Sequence, residues 1–160
     1  MVSEAKLGHC KLCGNKFHRS WQCPLKQRSN RRLHNDASDR RKLVRQLDIV
    51  FSQYIRLHQL NQLGYNVCYT CGRRLSYNDA QACHFINRRY LGTRWDEDNV
   101  KVGCNYCNVT LNGNLSQFAA RLGSKTCSEL EAKKNRKPTD LELQAKLTEY
   151  KNKLKEEKHG

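Results

Sequence analysis

A chain of 160 residues has room for one domain of ordinary size and at most a small appendage. Its hydrophobic share of 38% is thin for a free-standing core, so metal sites or dimerisation are expected to supply stability that burial does not. There is no apolar run of about 18 residues to span a membrane, and residues 1–30 lack the apolar stretch of a signal peptide.

A formal net charge of +15 says nothing about fold, but it points to polyphosphate or anionic partners. The expected setting is a reducing cytoplasm. Nine cysteines there indicate metal binding rather than disulfides.

In chain order, Cys10-x2-Cys13-x4-His18-x4-Cys23 comes first, with Gly14 after the second cysteine. That spacing fits a zinc knuckle, a tight shell around one Zn²⁺. Such modules bind unpaired bases by stacking. Trp21 and Phe17 are the candidate platforms, and Lys11, Lys16 and Arg19 the phosphate contacts. The bland alternative is a zinc site that only folds the N-terminus. We take residues 1–26 as this knuckle and 27–37, with Arg31 and Arg32, as a basic linker or DNA-contacting arm. Residues 38–160 form the main module.

The spacing predicts a long helix over 38–63, capped by Ser38 or Asp36 and stopped by Gly64. Leu43, Leu47, Val50, Tyr54 and Leu57 form its apolar stripe. Residues 66–113 read as loops, a hairpin and the start of a helix, with Asn99–Val102 β-prone. A helix is expected over 114–122, ending at Gly123. Thr126-x-x-Glu129 is a capping box for a short helix, and Thr139-x-x-Glu142, after Pro138, is a second. Leu143, Leu147, Tyr150 and Leu154 carry a last helix to about Lys155. Its acids and bases balance, with Glu142/Lys146 and Glu149/Lys153 as i,i+4 pairs. It reads as a packing or dimerising helix.

Cys68-x2-Cys71 and Cys104-x2-Cys107 are separated by 32 residues. Two such turns can close one tetrahedral Zn²⁺ shell, and four thiolates leave no place for substrate, so this zinc is structural. Its binding free energy becomes folding free energy. The alternative is one redox-active C-x-x-C among scattered thiols.

Between and just after the pairs lie His84, Asn99 and Asn108. They are expected on the first strand of a hairpin, near its second strand and at the opening of a helix. Read alone, His84 is a structural histidine, Asn99 a turn residue and Asn108 a helix cap. Their context resembles the HNH nucleases in the zinc-containing form of phage endonuclease VII, and more closely the NinG (Rap) recombination nucleases of lambdoid phages. Those proteins carry C-x-x-C-G, G-H-[YF], R-[FW]-x-E-x-N-[IV], C-x-x-C-N and G-N-L in order. The matching stretches here are Cys68–Gly72, Cys83–Phe85, Arg94–Val100, Cys104–Asn108 and Gly113–Leu115, within roughly residues 45–157.

The resemblance implies an α+β, zinc-stabilised ββα-metal (HNH) core flanked by helices, and a metal-dependent endonuclease for branched DNA such as Holliday junctions. His84 would be the general base, Asn108 a ligand of catalytic Mg²⁺ or Mn²⁺, and Asn99 a brace that orients His84. Zinc would occupy two structural sites. A junction cutter implies a homodimer, with helix 38–63 or 139–157 as the interface, and a phage-encoded protein would act in the host cytoplasm.

Endonuclease VII places an Asp ligand immediately before the histidine. Here that residue is Cys83, a poor Mg²⁺ ligand. Asp79, Asp96, Glu97, Asp98 and Asn112 are the alternatives. Arg88, Arg89 and Arg94 flank the site and read as DNA contacts that carry no base specificity. No separate sequence-reading domain is visible, which disfavours a homing or restriction nuclease. A non-catalytic zinc-dependent nucleic-acid-binding protein would use the same basic surface without needing His84. Elemental analysis is expected to give two zinc ions per chain. A value near one would remove the knuckle site, and none would overturn the zinc-stapled architecture.

Overall fold

No glycine or proline interrupts residues 25–63, and Arg, Lys, Gln and Leu, all good helix formers, are frequent there. The result is one helix, α1, from Pro24 to His58. Pro24 opens it, where a missing N–H costs nothing. The structure, a computed structural model, describes the backbone of residues 24–159 and the side chains of 38–158.

α1 therefore starts well before the expected Ser38, and the stretch 27–37 expected as a linker is helical. It also ends before the expected residue 63. Asn61 Oδ1 accepts the Leu63 and Tyr65 amides at 3.0 and 3.1 Å, and this competes with helix continuation. Gly64 then turns the chain at φ 76°. The chain divides into two compact units, 1–42 and 43–160. In the first, the described part is the α1 backbone and an exposed Lys42–Asp39 pair at 3.0 Å. The expected knuckle residues Cys10, Cys13, His18 and Cys23, with Lys16, Arg19 and Trp21, lie outside the described residues.

The second unit is a small α+β fold. Strands β1 (Asn66–Val67) and β2 (Arg74–Leu75) form one antiparallel pair. β3 (Gln81–His84) and β4 (Val100–Gly103) form another, in which His84 faces Val100 and Gln81 faces Gly103. A single π-helical turn, Tyr106–Thr110, follows. Helices α2 (Leu115–Leu122), α3 (Ser124–Lys133) and α4 (Asp140–His159) complete the chain.

α3 starts directly after Gly123, with no side-chain cap bond, so Thr126 lies inside the helix and is not its cap. At α4 the capping box forms. Thr139 Oγ1 accepts the Glu142 amide at 3.2 Å, and Glu142 Oε2 accepts the Thr139 amide at 2.7 Å. Glu142 pairs with Arg136 rather than Lys146, whereas Glu149–Lys153 forms as expected at 3.0 Å.

α1 turns Leu47, Phe51, Tyr54 and Ile55 fully inward, while Leu43, Val50 and Leu57 are only partly buried. The i, i+4, i+7, i+8 set is the wider stripe of a helix against a core. It meets Leu143, Leu147, Tyr150 and Leu154 of α4 in one cluster with Trp95, Val100 and Val102. Phe51 and Tyr150 stack edge to face at 4.7 Å.

At the cluster's polar edge, Glu97 accepts Tyr54 and Tyr150 hydroxyls, each at 3.2 Å, and Lys153 Nζ at 2.9 Å. Burial alone would raise the Glu97 pKa, but these donors outweigh it and hold it below the usual carboxylate range. Burial and the same carboxylate push the Tyr54 phenol up to about 12. The loop that precedes β4 is thereby tied to both long helices.

Leu147 is 1% exposed between these elements. Leu147→Ala is expected to cost about 2–5 kcal/mol in urea unfolding, the range for an emptied core leucine, with zinc content unchanged.

Candidate metal centre and adjoining cleft

The two C-x-x-C turns converge. The sulfur atoms of Cys68, Cys71, Cys104 and Cys107 all lie within 4.8 Å of one another, and Cys71 Sγ is 3.8 Å from Cys104 Sγ. Zn–S bonds of about 2.3 Å in a tetrahedron place sulfurs about 3.8 Å apart, so the cluster suits a zinc ion. Cys104 N donates to Cys68 Sγ at 3.3 Å, and Cys107 N donates to Cys104 Sγ at 3.4 Å. Burial works against a Cys68 thiolate. Bonds from Thr70 and from backbone amides outweigh it and hold Cys68 down to about 6.

The first turn leaves β1 and returns into β2 through Gly72, at φ 75°. Tyr69 N donates to Val102 O at 2.7 Å, fastening this turn to β4. The second turn follows β4 directly. A metal ion held by these four cysteines would fix the β1–β2 loop, β4 and the π turn relative to one another.

His84 ends β3. Its Nε2 lies 3.1 Å from the Arg94 carbonyl oxygen. A carbonyl only accepts, so in the neutral ring Nε2 carries the proton and Nδ1 the lone pair. Burial lowers the His84 pKa. The Arg94 and Arg88 charges add to this, while the Arg94 carbonyl and Asp48 oppose it.

Asn99 is 0% exposed. Its Oδ1 accepts the Ile86 amide at 2.6 Å, and its Nδ2 donates to the carbonyls of Ile86 and Thr93 at 3.1 and 2.9 Å. One side chain therefore spans the loop between β3 and β4 at two places. Phe85 N donates to Asn99 O at 2.9 Å and continues the hairpin past His84.

Asn108 lies on the π turn, where a regular helix start was expected. Its Nδ2 donates to Gln81 Oε1 at 2.8 Å, so the amide carbonyl is the atom left for another ligand. Gly103, beside this turn, permits the close approach of Cys83 across the hairpin: a Cβ there would meet the Cys83 Cβ at 2.8 Å.

His84 and Asn108 line one cleft of about 440 Å³ together with Asn87, Arg88 and Asn112. His84 and Arg88 also border a second cleft of about 370 Å³, lined by Asp48, Arg56, Gln81 and Trp95. Of the alternative metal ligands, only Asn112 lines the Asn108 cleft. It and Asn114 both adopt φ 48°, a left-handed conformation that asparagine tolerates, and so turn the chain sharply there.

The other four alternatives are engaged elsewhere. Asp79 bonds Ser76 at 2.7 Å, Asp96 pairs with Lys133 at 3.6 Å, Asp98 pairs with Lys101 at 3.8 Å, and Glu97 serves the tyrosine network. Cys83 is 1% exposed and lines neither cleft, and burial pushes its thiol up to about 12. It remains a neutral thiol at working pH.

Arg88 is exposed at the junction of the two clefts. Arg89 is also exposed and donates to the Tyr90 hydroxyl at 2.8 Å. Arg94 is 16% exposed, with Nε and Nη2 on Asp48 and Nη1 on the Arg88 carbonyl. Arg31 and Arg32 lie on the α1 backbone, where side chains are outside the described residues.

The sequence reading missed Asp48, Gln81 and Arg56. Asp48 had a signal: it is the one acid among residues 40–58 of an otherwise basic helix. Arg56 stacks over Tyr77 at 4.6 Å, a pairing with no local sequence mark.

Fold and site together define a small α+β protein with short antiparallel sheets and a four-cysteine cluster able to hold zinc. Residues 19–159 match the family described as bacteriophage Lambda NinG protein, and the chain belongs to that family. No curated protein and no solved structure shows significant similarity to it. Among the described residues, no helix is long and apolar enough to cross a membrane.

Proposed function

We propose that this protein is an HNH-type endonuclease that hydrolyses phosphodiester bonds in branched DNA, such as Holliday junctions and related recombination intermediates. The observation that carries the reading is the His84 ring. It is held by a carbonyl on Nε2, keeps its lone pair on Nδ1, and lines a cleft together with Asn108. This is the arrangement a general base requires.

The DNA phosphate would lie in the Asn108 cleft, beside Arg88. His84 Nδ1 takes a proton from a water molecule as its oxygen bonds to phosphorus. The P–O3′ bond breaks, and the leaving 3′ oxygen takes a proton from solvent water, leaving a 5′-phosphate and a 3′-hydroxyl. Asn99 keeps the loop between β3 and β4 in register and so orients the base; it touches no reacting atom. Asn108, through its amide oxygen, is the residue that would hold Mg²⁺ or Mn²⁺. When bound, such a cation neutralises charge on the phosphate and on the leaving oxygen. Among the described residues the cleft lining carries no carboxylate. A neutral ligand of this kind fits a cation that keeps several waters and takes its remaining oxygens from the substrate phosphate.

The net charge of +15 supports phosphate tracking along the surface. The family membership supports a role in phage DNA recombination. Paired cleavage across a junction calls for two coordinated sites, hence a homodimer, and zinc knuckle binding to unpaired bases belongs to the same reading.

The test is a cleavage assay on a four-way junction, a flap and a linear duplex, with Mg²⁺ and with EDTA. His84→Ala is expected to lower the rate about 10²–10⁴-fold, with zinc content and junction binding retained. Asn108→Ala is expected to lose activity that excess Mg²⁺ or Mn²⁺ partly restores, which no metal does for His84→Ala. A fully active His84→Ala protein overturns the mechanism. Junction binding by a wild-type protein that never cuts favours the non-catalytic alternative.

The pH dependence has a definite sign. The His84 pKa is lowered, so its neutral, proton-accepting form persists to lower pH than in an ordinary histidine. kcat/KM is expected to rise with pH through an apparent pKa below about 6.5 and to stay flat above it.

A further inference from the structure

We propose that Asp48 and Arg94 are positioning residues for His84, acting as an ion pair between α1 and the β3–β4 loop that fixes the carbonyl that fixes the imidazole. The inference rests on the nuclease reading for its catalytic consequence, but its geometry stands apart from that reading.

The loop between β3 and β4 has no regular structure of its own, and Arg94 lies in it. The Arg94 carbonyl is nevertheless the partner of His84 Nε2, at 3.1 Å. Two neighbouring groups on either side of that carbonyl converge on one carboxylate. Arg94 Nε donates to Asp48 Oδ1 at 2.8 Å and Nη2 to Oδ2 at 2.6 Å, a two-pronged fork. The next residue's indole, Trp95 Nε1, donates to the same Oδ1 at 2.9 Å. Arg94 Nη1 then closes the loop on itself through the Arg88 carbonyl at 2.9 Å.

Asp48 is a firm anchor because its helix is firm. Leu47 and Phe51, on the same stretch of α1, are 0% and 2% exposed in the core. The order of support is therefore core, helix, carboxylate, Arg94–Trp95 peptide, imidazole. Asn99 braces the same loop independently, from the β4 side.

This assignment changes what Arg94 is for. Its neighbourhood in sequence suggests a phosphate contact. In the fold each of its three nitrogens donates a bond internally and its side chain is 16% exposed. A phosphate contact lowers the salt slope of DNA binding by about one unit when removed, and a positioning residue does not.

The experiment uses the full chain with Asp48→Asn, Asp48→Ala, Arg94→Lys and Arg94→Gln. Zinc content and melting temperature report the fold. Junction binding in EDTA across a salt series reports phosphate contacts. Nitrogen-15 NMR of the His84 ring reports its tautomer without any need for cleavage. The wild-type ring is expected as the Nε2–H form. The variants are expected to lose that fixed signal and to drop kcat about 10- to 100-fold, a misplacement effect, with KM and salt slope unchanged. The double variant Asp48→Ala/Arg94→Lys is expected to be no worse than the poorer single one, since both break one linkage.

An unchanged Nε2–H signal in all variants overturns the proposal, as does a fall of about one unit in the salt slope of Arg94→Gln. Should Asp48→Ala not fold, Asp48→Asn keeps the side chain's size and one acceptor and carries the same test. A wild-type protein that does not cut DNA removes the nuclease reading, and the NMR arm still decides the positioning.

Discussion

Four sulfur atoms within 4.8 Å of one another are the constraint on which the rest of the second unit depends. Strands of two and four residues cannot hold their own geometry, because a short pair gains too little from its ladder to offset the entropy of ordering it. The cysteine cluster replaces the missing sheet. It joins the β1–β2 loop to the end of β4 and to the turn that carries Asn108. Metal binding at this point would supply folding free energy that the apolar content of the chain does not.

A second anchor acts at the other end of the hairpin. α1 and α4 spend their apolar faces on each other and on β4, and at their edge the Glu97 network grips the loop that leads into β4. That loop therefore runs between the helix-packed core and the cysteine cluster. Asn99 and Asp48 then hold it at points a few residues apart. The carboxylate, amide and guanidinium groups here do little for a hydrophobic core, and their value is directional. Each fixes hydrogen-bonding groups of the loop whose orientation the cleft depends on.

The cleft itself is sparse: among the described residues its polar side chains are one imidazole, three amides and an arginine, and the carboxylate of Asp48 lines the adjoining cleft. On the proposed nuclease reading, such a site in a strongly cationic chain would not need its own negative charge to bring in a cation, because a DNA phosphate would supply it. On that reading, long-range charge would deliver the substrate, and the few fixed groups would act only once it is there.

The features legible in the sequence were those whose geometry is local. A C-x-x-C turn presents two sulfurs whatever surrounds it, so both halves of the metal cluster could be read from spacing, as could the Thr139–Glu142 cap and the strand bearing His84. Helix ends were less legible. Nothing marks the start of α1 except the proline that opens it, and a capping-box pattern at Thr126 gave way to the glycine before it. Which side of α1 faces the core was readable only roughly, because Phe51 and Ile55 are chosen by what α4 offers them. Beyond reach were contacts between residues far apart in the chain. Asp48 and Arg94 are separated by 46 positions, and neither residue type predicts the other. Local spacing decided the four cysteines that cluster and the strand that carries His84. Tertiary packing alone decided that Cys83 is buried away from the cleft, that Arg94 is held inward, and which carbonyl sets the His84 ring. A side chain's partner is fixed by where distant elements place their polar groups, and that is a property of the folded chain.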